Sequence, residues 1–179
     1  MASIVSPSFT VRSVVQGLLS SATLGFNANY AASLANYPGA LPISIDFAAA
    51  KPMSFFLGRL AIEDIVESGA FKFPVMSLYT TAGANQNMQK FQKFAGLVRV
   101  GVDVHLSYKT SQARIVFEAW PDAVEDAMYT TFNQAAAQNW GSGVVYNGQL
   151  GFERRQVRRG AENWLQTLYF QATFEAIIT

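Results

Sequence analysis

The chain has 179 residues, of which half are hydrophobic and 14% are charged, and its formal net charge is +1. This length fits one domain that buries about 70% of the surface of its unfolded chain, and the small net charge gives no global basic field for nucleic-acid binding. Cysteine is absent, which excludes disulfides, thiolate catalysis and cysteine-ligated metal sites.

Two further features of the composition concern contacts and location. Fourteen Phe, seven Tyr and three Trp exceed what one core of this size normally needs, so they fit either a large aromatic core or subunit contacts. The N-terminal sequence MASIVSPSFTVRSVV lacks the basic start and continuous apolar core of a signal peptide, and no run approaches the roughly 20 apolar residues of a membrane span. We therefore expect a protein of the cytoplasm.

The first half of the chain is predicted to alternate between helix and strand. Apolar residues at helical spacing predict a helix over 8–36 that Gly25 interrupts. Alternation of apolar and polar residues over 41–48 predicts a strand with one buried face. Helical spacing returns over 54–68, where Gly69 suits the C-terminal stop.

A strand at 73–80 is predicted to lead into a polar segment and then into the most regular strand of the chain. The segment 81–95 is rich in Asn and Gln and offers little apolar area to offset the entropy of ordering, so we expect a long loop or mobile arm. Apolar and polar residues alternate strictly in the strand at 97–109, which predicts an antiparallel sheet with one buried face and one solvent-exposed face. The predicted solvent-exposed face consists of Arg99, Asp103, His105, Ser107 and Lys109.

The last third is predicted to contain a helix over 121–139 and two strands, at 144–155 and 163–177. Pro121 suits the first helical turn. The predicted buried stripe of this helix consists of Val124, Met128, Phe132 and Ala135. The whole pattern predicts a single α+β domain, in which helices pack on one face of a mostly antiparallel β-sheet.

The sequence offers few residues for catalysis or metal binding. His105 is the only histidine, and its place within a regular strand favours an exposed or interface role. The acids Asp122, Glu125 and Asp126 are explained by the positive end of the helix dipole rather than by acid–base or Mg²⁺ chemistry. We therefore expect no catalytic, cofactor or metal site, and a protein that is not an enzyme.

One charged cluster stands out, since Arg154, Arg155, Arg158 and Arg159 lie within six positions. Three interpretations stay open: a solvated connection between two strands, an interface that pairs with acids of a neighbouring subunit, or contacts with a DNA backbone. We take these four arginines as candidate interface or channel contacts.

Three segments resemble the tail terminator (tail completion) proteins of long-tailed bacteriophages. They are FAGLVRVGVDVHLSY at 94–108, FEAWPDAVEDAMYTTF at 117–132, and VVYNGQLGFERRQVRRGAENWLQTLYFQATFEA at 144–176. The resemblance implies a subunit of a homohexameric ring that caps the tail tube, stops tube polymerisation and joins the tail to the head-side connector. The implied partners are further copies of the chain, the tail tube protein and the connector or stopper protein, and the arginine cluster leaves open a non-specific contact with DNA passing through the ring.

The implied location is the tail or neck of the virion, after assembly in the host cytoplasm. The alternatives are a head–tail connector or stopper protein of the neck, another virion role, or a small-molecule-binding domain or enzyme. The native mass separates these classes, because an enzyme need not form a six-membered ring.

Overall fold

A computed structural model of the chain describes residues 6–48, 51–86, 94–109, 118–134, 143–155, 158–159 and 163–178. Within them the helices are α1 (Pro7–Leu19), α2 (Phe26–Ser33), α3 (Ile62–Ser68) and α4 (Ala119–Asn133), and a 3₁₀ turn spans Leu34–Asn36. The strands are β1 (Met53–Leu57), β2 (Phe71–Asn85), β3 (Phe94–Lys109), β4 (Val144–Arg154), β5 (Arg158–Arg159) and β6 (Asn163–Ile178).

The strands form a single sheet in the order β1-β2-β3-β6-β4. β1 runs parallel to β2, and the other neighbouring strands are antiparallel. The central β3–β6 ladder runs from Phe94 opposite Ile178 to Lys109 opposite Asn163 without a register shift. β5 also pairs with β6, on the side of β4. The predicted fold class, an α+β fold with a mostly antiparallel sheet, is confirmed.

The main core lies between one face of the sheet and the helices α1, α2 and α4. The even-numbered residues of β3 from Val98 to Tyr108 lie on this face and are buried, as their alternation predicted. Helix α4 buries Val124, Met128 and Phe132 against them, and the Phe132 ring lies 5.6 Å from that of Tyr146. Apolar burial of this extent is the main stabilising term of the fold.

The strand predicted over 41–48 is wrong, because the segment has no regular secondary structure, although it buries Ile45. The Asn27 side chain binds both backbone groups of Ile45, donating to its carbonyl at 2.8 Å and accepting from its N–H at 2.8 Å. The Asp46 N–H likewise donates to the Ser54 hydroxyl at 2.6 Å. Because side chains bind these backbone groups, the segment does not join the sheet.

The helix predicted over 54–68 is wrong in its first half. Residues Met53–Leu57 form β1, which pairs with β2. Gly58 follows with φ of +149°, a conformation that side-chain-bearing residues rarely adopt, and the helix α3 starts only at Ile62. It ends as predicted at Gly69, which is left-handed with φ of +59°.

Other predicted boundaries need smaller corrections. The helix predicted over 8–36 is divided into α1, α2 and the 3₁₀ turn, with Gly25 at the N-terminus of α2. The predicted arm 81–95 is wrong at both ends, because 81–85 belong to β2 and 94–95 to β3; residues 87–93 lie outside the described residues. The helix predicted over 121–139 begins at Ala119 and is described as far as Asn133. The rest of the predicted helix, which includes Ala135, lies outside the described residues. The last two strands agree with prediction within one residue.

The second face of the sheet was predicted to be exposed to solvent, but it is exposed only in part. Asp103 and His105 are 0% and 1% exposed, whereas Arg99 and Lys109 on the same face are exposed. The segment that contains α3 lies on this face and forms a cleft with His105 and Thr167. The alternation of one strand cannot reveal such a cover, because it belongs to a distant segment of the chain.

Candidate functional site

The candidate site is built around the connection between β4 and β6, where two adjacent arginines have different environments. The guanidinium of Arg154 donates to Glu118 at 2.8 Å, to Glu125 at 3.0 Å and to Asp122 by a shorter contact. These three acids belong to α4 and the residue before it, so Arg154 attaches β4 to the helix. Arg154 thus has three partners within its own subunit, and its candidate role as an interface or channel contact stays a prediction.

The sequence analysis explained the acids of α4 by the helix dipole, but in the structure these acids also bind other side chains. Asp122 and Glu125 bind Arg154, and Asp126 accepts a hydrogen bond from the hydroxyl of Ser33 at 2.7 Å. Hydrogen bonding to Asp122 and Glu125, together with their charge, raises the pKa of Arg154, although burial opposes this. These contacts connect α4 to β4 and to α2 rather than forming a reactive group.

Arg155 lies on the opposite face of the sheet from Arg154. Its backbone N–H donates to the Thr167 carbonyl at 3.0 Å, and its guanidinium lies 5.0 Å from the centre of the Tyr169 ring. A cation over an aromatic ring is attracted by the ring's quadrupole. Arg155 makes no ion pair with any other described residue. The side chains of Arg158 and Arg159 lie outside the description, so their role stays a prediction.

A buried carboxylate lies on the same face as Arg155. The ring of Tyr79 lies over Gly101, where a Cβ would approach it to 2.9 Å, and the Tyr79 hydroxyl donates to Asp103 Oδ2 at 3.0 Å. The second oxygen, Oδ1, is buried and has no hydrogen-bond partner among the described residues. Burial raises the pKa of Asp103, while Arg155, Tyr79 and Arg59 act in the opposite direction.

The only histidine lies two residues further along β3. His105 Nδ1 shares a hydrogen bond of 2.9 Å with the Thr167 hydroxyl, and Nε2 is buried without a partner in the described part of the chain. Burial, and secondarily the charge of Arg155, lowers the pKa of His105 to about 4. The ring is therefore neutral at neutral pH, and its predicted exposed position is wrong.

The side chains of His105, Thr167 and Arg155 border a cleft of about 550 Å³ between α3 and the sheet. His105 and Thr167 form its buried wall, Arg155 is half-buried, and Arg59 is exposed at the rim. The remaining polar lining consists of Glu63 and Asp64, which are exposed in the first turn of α3.

Apart from the exposed carboxylates of Glu63 and Asp64, the cleft combines two guanidinium groups with a neutral imidazole, a set that donates hydrogen bonds more readily than it accepts them. Of its members, only His105 and Arg155 were singled out in the sequence. Arg59 and Thr167 were missed, because nothing in a single sequence specifies the register that places Thr167 opposite His105. Within the described residues, no group of three or more His, Asp or Glu side chains could hold a metal ion.

Comparison with protein-family models and with curated proteins finds no match for this chain. In the part of the chain that the structure describes, no helix is both long enough and apolar enough to cross a membrane.

Proposed function

We propose that this chain is a tail terminator of a long-tailed phage, working as a homohexameric ring that caps the tail tube and receives the head-side connector. The proposal begins with the three segments that resemble this family. Their described residues lie mainly in β3, α4, β4, β5 and β6.

The observation that carries the proposal is that these separate segments form one packed unit. β3, β6 and β4 are neighbours in the sheet, and α4 packs over them through residues such as Phe132, whose ring lies 6.4 Å from that of Phe174. Resemblance in composition alone would not require the matching segments to be adjacent. Their adjacency is what a shared fold would produce, and it supports carrying the family's role to this chain.

The surface provides a second, weaker support. Large apolar side chains are about half exposed at well-separated places in the sequence, namely Phe9, Leu24, Leu57, Val66 and Ile177. The outer edges of β1 and β4 carry no further strand among the described residues. Apolar residues and open strand edges both favour association with other chains. In a ring each subunit contacts two neighbours through two different surfaces, so it needs association surfaces at more than one place.

Two measurements test the ring and its role separately. Cryo-electron microscopy of the assembled particle should place six copies around the axis at the junction of tail and head; one copy, or a two-fold dimer, would reject the ring. Adding the purified chain to polymerising tail tube protein should shorten the tubes seen in negative stain. Unchanged tube lengths together with a ring bound to the head-side connector would instead identify a neck protein.

A further inference from the structure

We propose that the cleft between α3 and the sheet binds an oxyanion, namely the phosphate or carboxylate group of a small molecule. The cleft volume of about 550 Å³ lies within the range of small-molecule sites. His105, Arg155 and Thr167 lie in segments that carry the resemblance, but the proposal rests on the chemistry of the cleft and does not depend on the proposed function.

The main argument is the contrast between the two adjacent arginines. Arg154 has three carboxylate partners within the chain, whereas Arg155 has no ion pair with any described residue. The backbone of Arg155 is fixed by its bond to Thr167, and its guanidinium lies against the Tyr169 ring, close enough to the buried Asp103 to oppose the rise that burial causes in the pKa of that carboxyl. A positioned guanidinium presents its donors in a fixed planar arrangement that matches two oxygens of a carboxylate or phosphate.

The buried wall of the cleft adds a second donor. His105 Nε2 is buried and without a partner among the described residues, which is costly for a polar group unless something binds it. When the Thr167 hydroxyl donates to Nδ1, the neutral ring carries its proton on Nε2. An anionic oxygen bound by Arg155 would accept from Nε2–H as well once the ring shifts slightly, because Nε2 has almost no surface open to solvent in this conformation.

The charges at the rim set the expected strength. Arg59 adds a positive charge there, and Glu63 and Asp64 add two negative ones. The acids are exposed, so solvent screens them, but they still oppose an approaching anion. We therefore expect weak, millimolar binding of a bare anion, and tighter binding when an acid at the rim is neutralised.

The single histidine makes the test direct, because labelling histidine with carbon-13 places one imidazole reporter in the cleft. Inorganic phosphate, and separately acetate, is titrated into the full chain at constant ionic strength, with chloride as the reference. The His105 ring signals should move saturably with phosphate or acetate and not with chloride. No movement beyond that caused by chloride would overturn the proposal.

Matched variants locate the binding. Arg155→Gln should weaken phosphate binding at least tenfold, and Arg59→Gln should weaken it less. Arg99→Gln, an exposed arginine on the same strand and face as His105, should leave binding unchanged. Asp64→Asn should tighten it. Equal binding in Arg155→Gln and the parent chain, or loss of binding in Asp64→Asn, would overturn the assignment. Circular dichroism confirms that each variant is folded.

Discussion

Arg154 and Arg155 are neighbours in the chain, but their side chains lie on opposite faces of the sheet. Arg154 extends toward α4 and its acids, and Arg155 extends toward Tyr169 and the cleft. This follows from strand geometry, in which successive side chains alternate between faces. The cluster of arginines in the sequence is therefore not one continuous basic surface, and its members need separate tests.

The first prediction concerns stability at Arg154. Changing Arg154 to Ala leaves Glu118, Asp122 and Glu125 close together without their common partner. We expect the free energy of unfolding to fall by about 1–2 kcal/mol, since the site is partly exposed but the bonds are charge-assisted. Urea unfolding followed by circular dichroism measures this change. Arg99→Ala is the control and should change stability by less than about 0.5 kcal/mol; equal losses in both variants would contradict the internal role of Arg154.

The second prediction concerns the packing of Tyr79 over Gly101. A Cβ at position 101 would lie 2.9 Å from two ring atoms of Tyr79, so Gly101→Ala must displace the ring and its bond to Asp103. We expect a loss of about 1–3 kcal/mol, as for overpacked cores. Gly83→Ala is the matched control on β2, because its nearest atom would be 3.9 Å away. The idea fails if the two variants unfold at the same urea concentration.

The strands with strict alternation were predictable, and the segments with mixed signals were not. β3 and β6 were predicted because each places its apolar residues on one buried face. β1 was missed because Phe56, Leu60 and Ile65 also fit helical spacing, and only the turn at Gly58 separates strand from helix. The segment 41–48 has the alternation of a strand, but binding by Asn27 replaces strand pairing, and no local pattern reveals that.

The candidate site was predictable only in part, for a related reason. The sequence singled out Arg155 by its place in a charged cluster and His105 as the only histidine. It could not indicate that both would line one cleft, because this depends on the β3–β6 register and on the position of α3. Burial of His105 is thus a property of tertiary structure.

The third prediction is the titration of His105. Its pKa is lowered from 6.5 to about 4 in the folded chain, so between these pH values the unfolded chain binds a proton that the folded chain does not. Stability should therefore fall as pH decreases from 6.5 toward 4, by up to about 3 kcal/mol. Asp103, whose raised pKa acts in the opposite direction, offsets part of this loss.

The imidazole signals of His105 measure the effect directly and should titrate near pH 4. In His105→Gln, the difference in unfolding free energy between pH 7 and pH 4.5 should be smaller than in the parent chain. A midpoint near 6.5 would mean that the ring is exposed to water and would contradict its burial.

The last prediction concerns Arg158 and Arg159 and depends on the proposed ring. Their backbone forms β5, which pairs with Leu165 and Trp164 on the β4 side of β6, where no further strand follows among the described residues. We expect Arg158→Gln/Arg159→Gln to impair ring closure while leaving the subunit folded, because breaking a desolvated interfacial pair costs about 2–5 kcal/mol. Light scattering measures the oligomer, and urea unfolding measures the fold. Arg99→Gln is the control for the loss of positive charge. If the double variant still forms rings and supports infection at raised ionic strength, β5 belongs to a solvated connection and the subunits meet elsewhere.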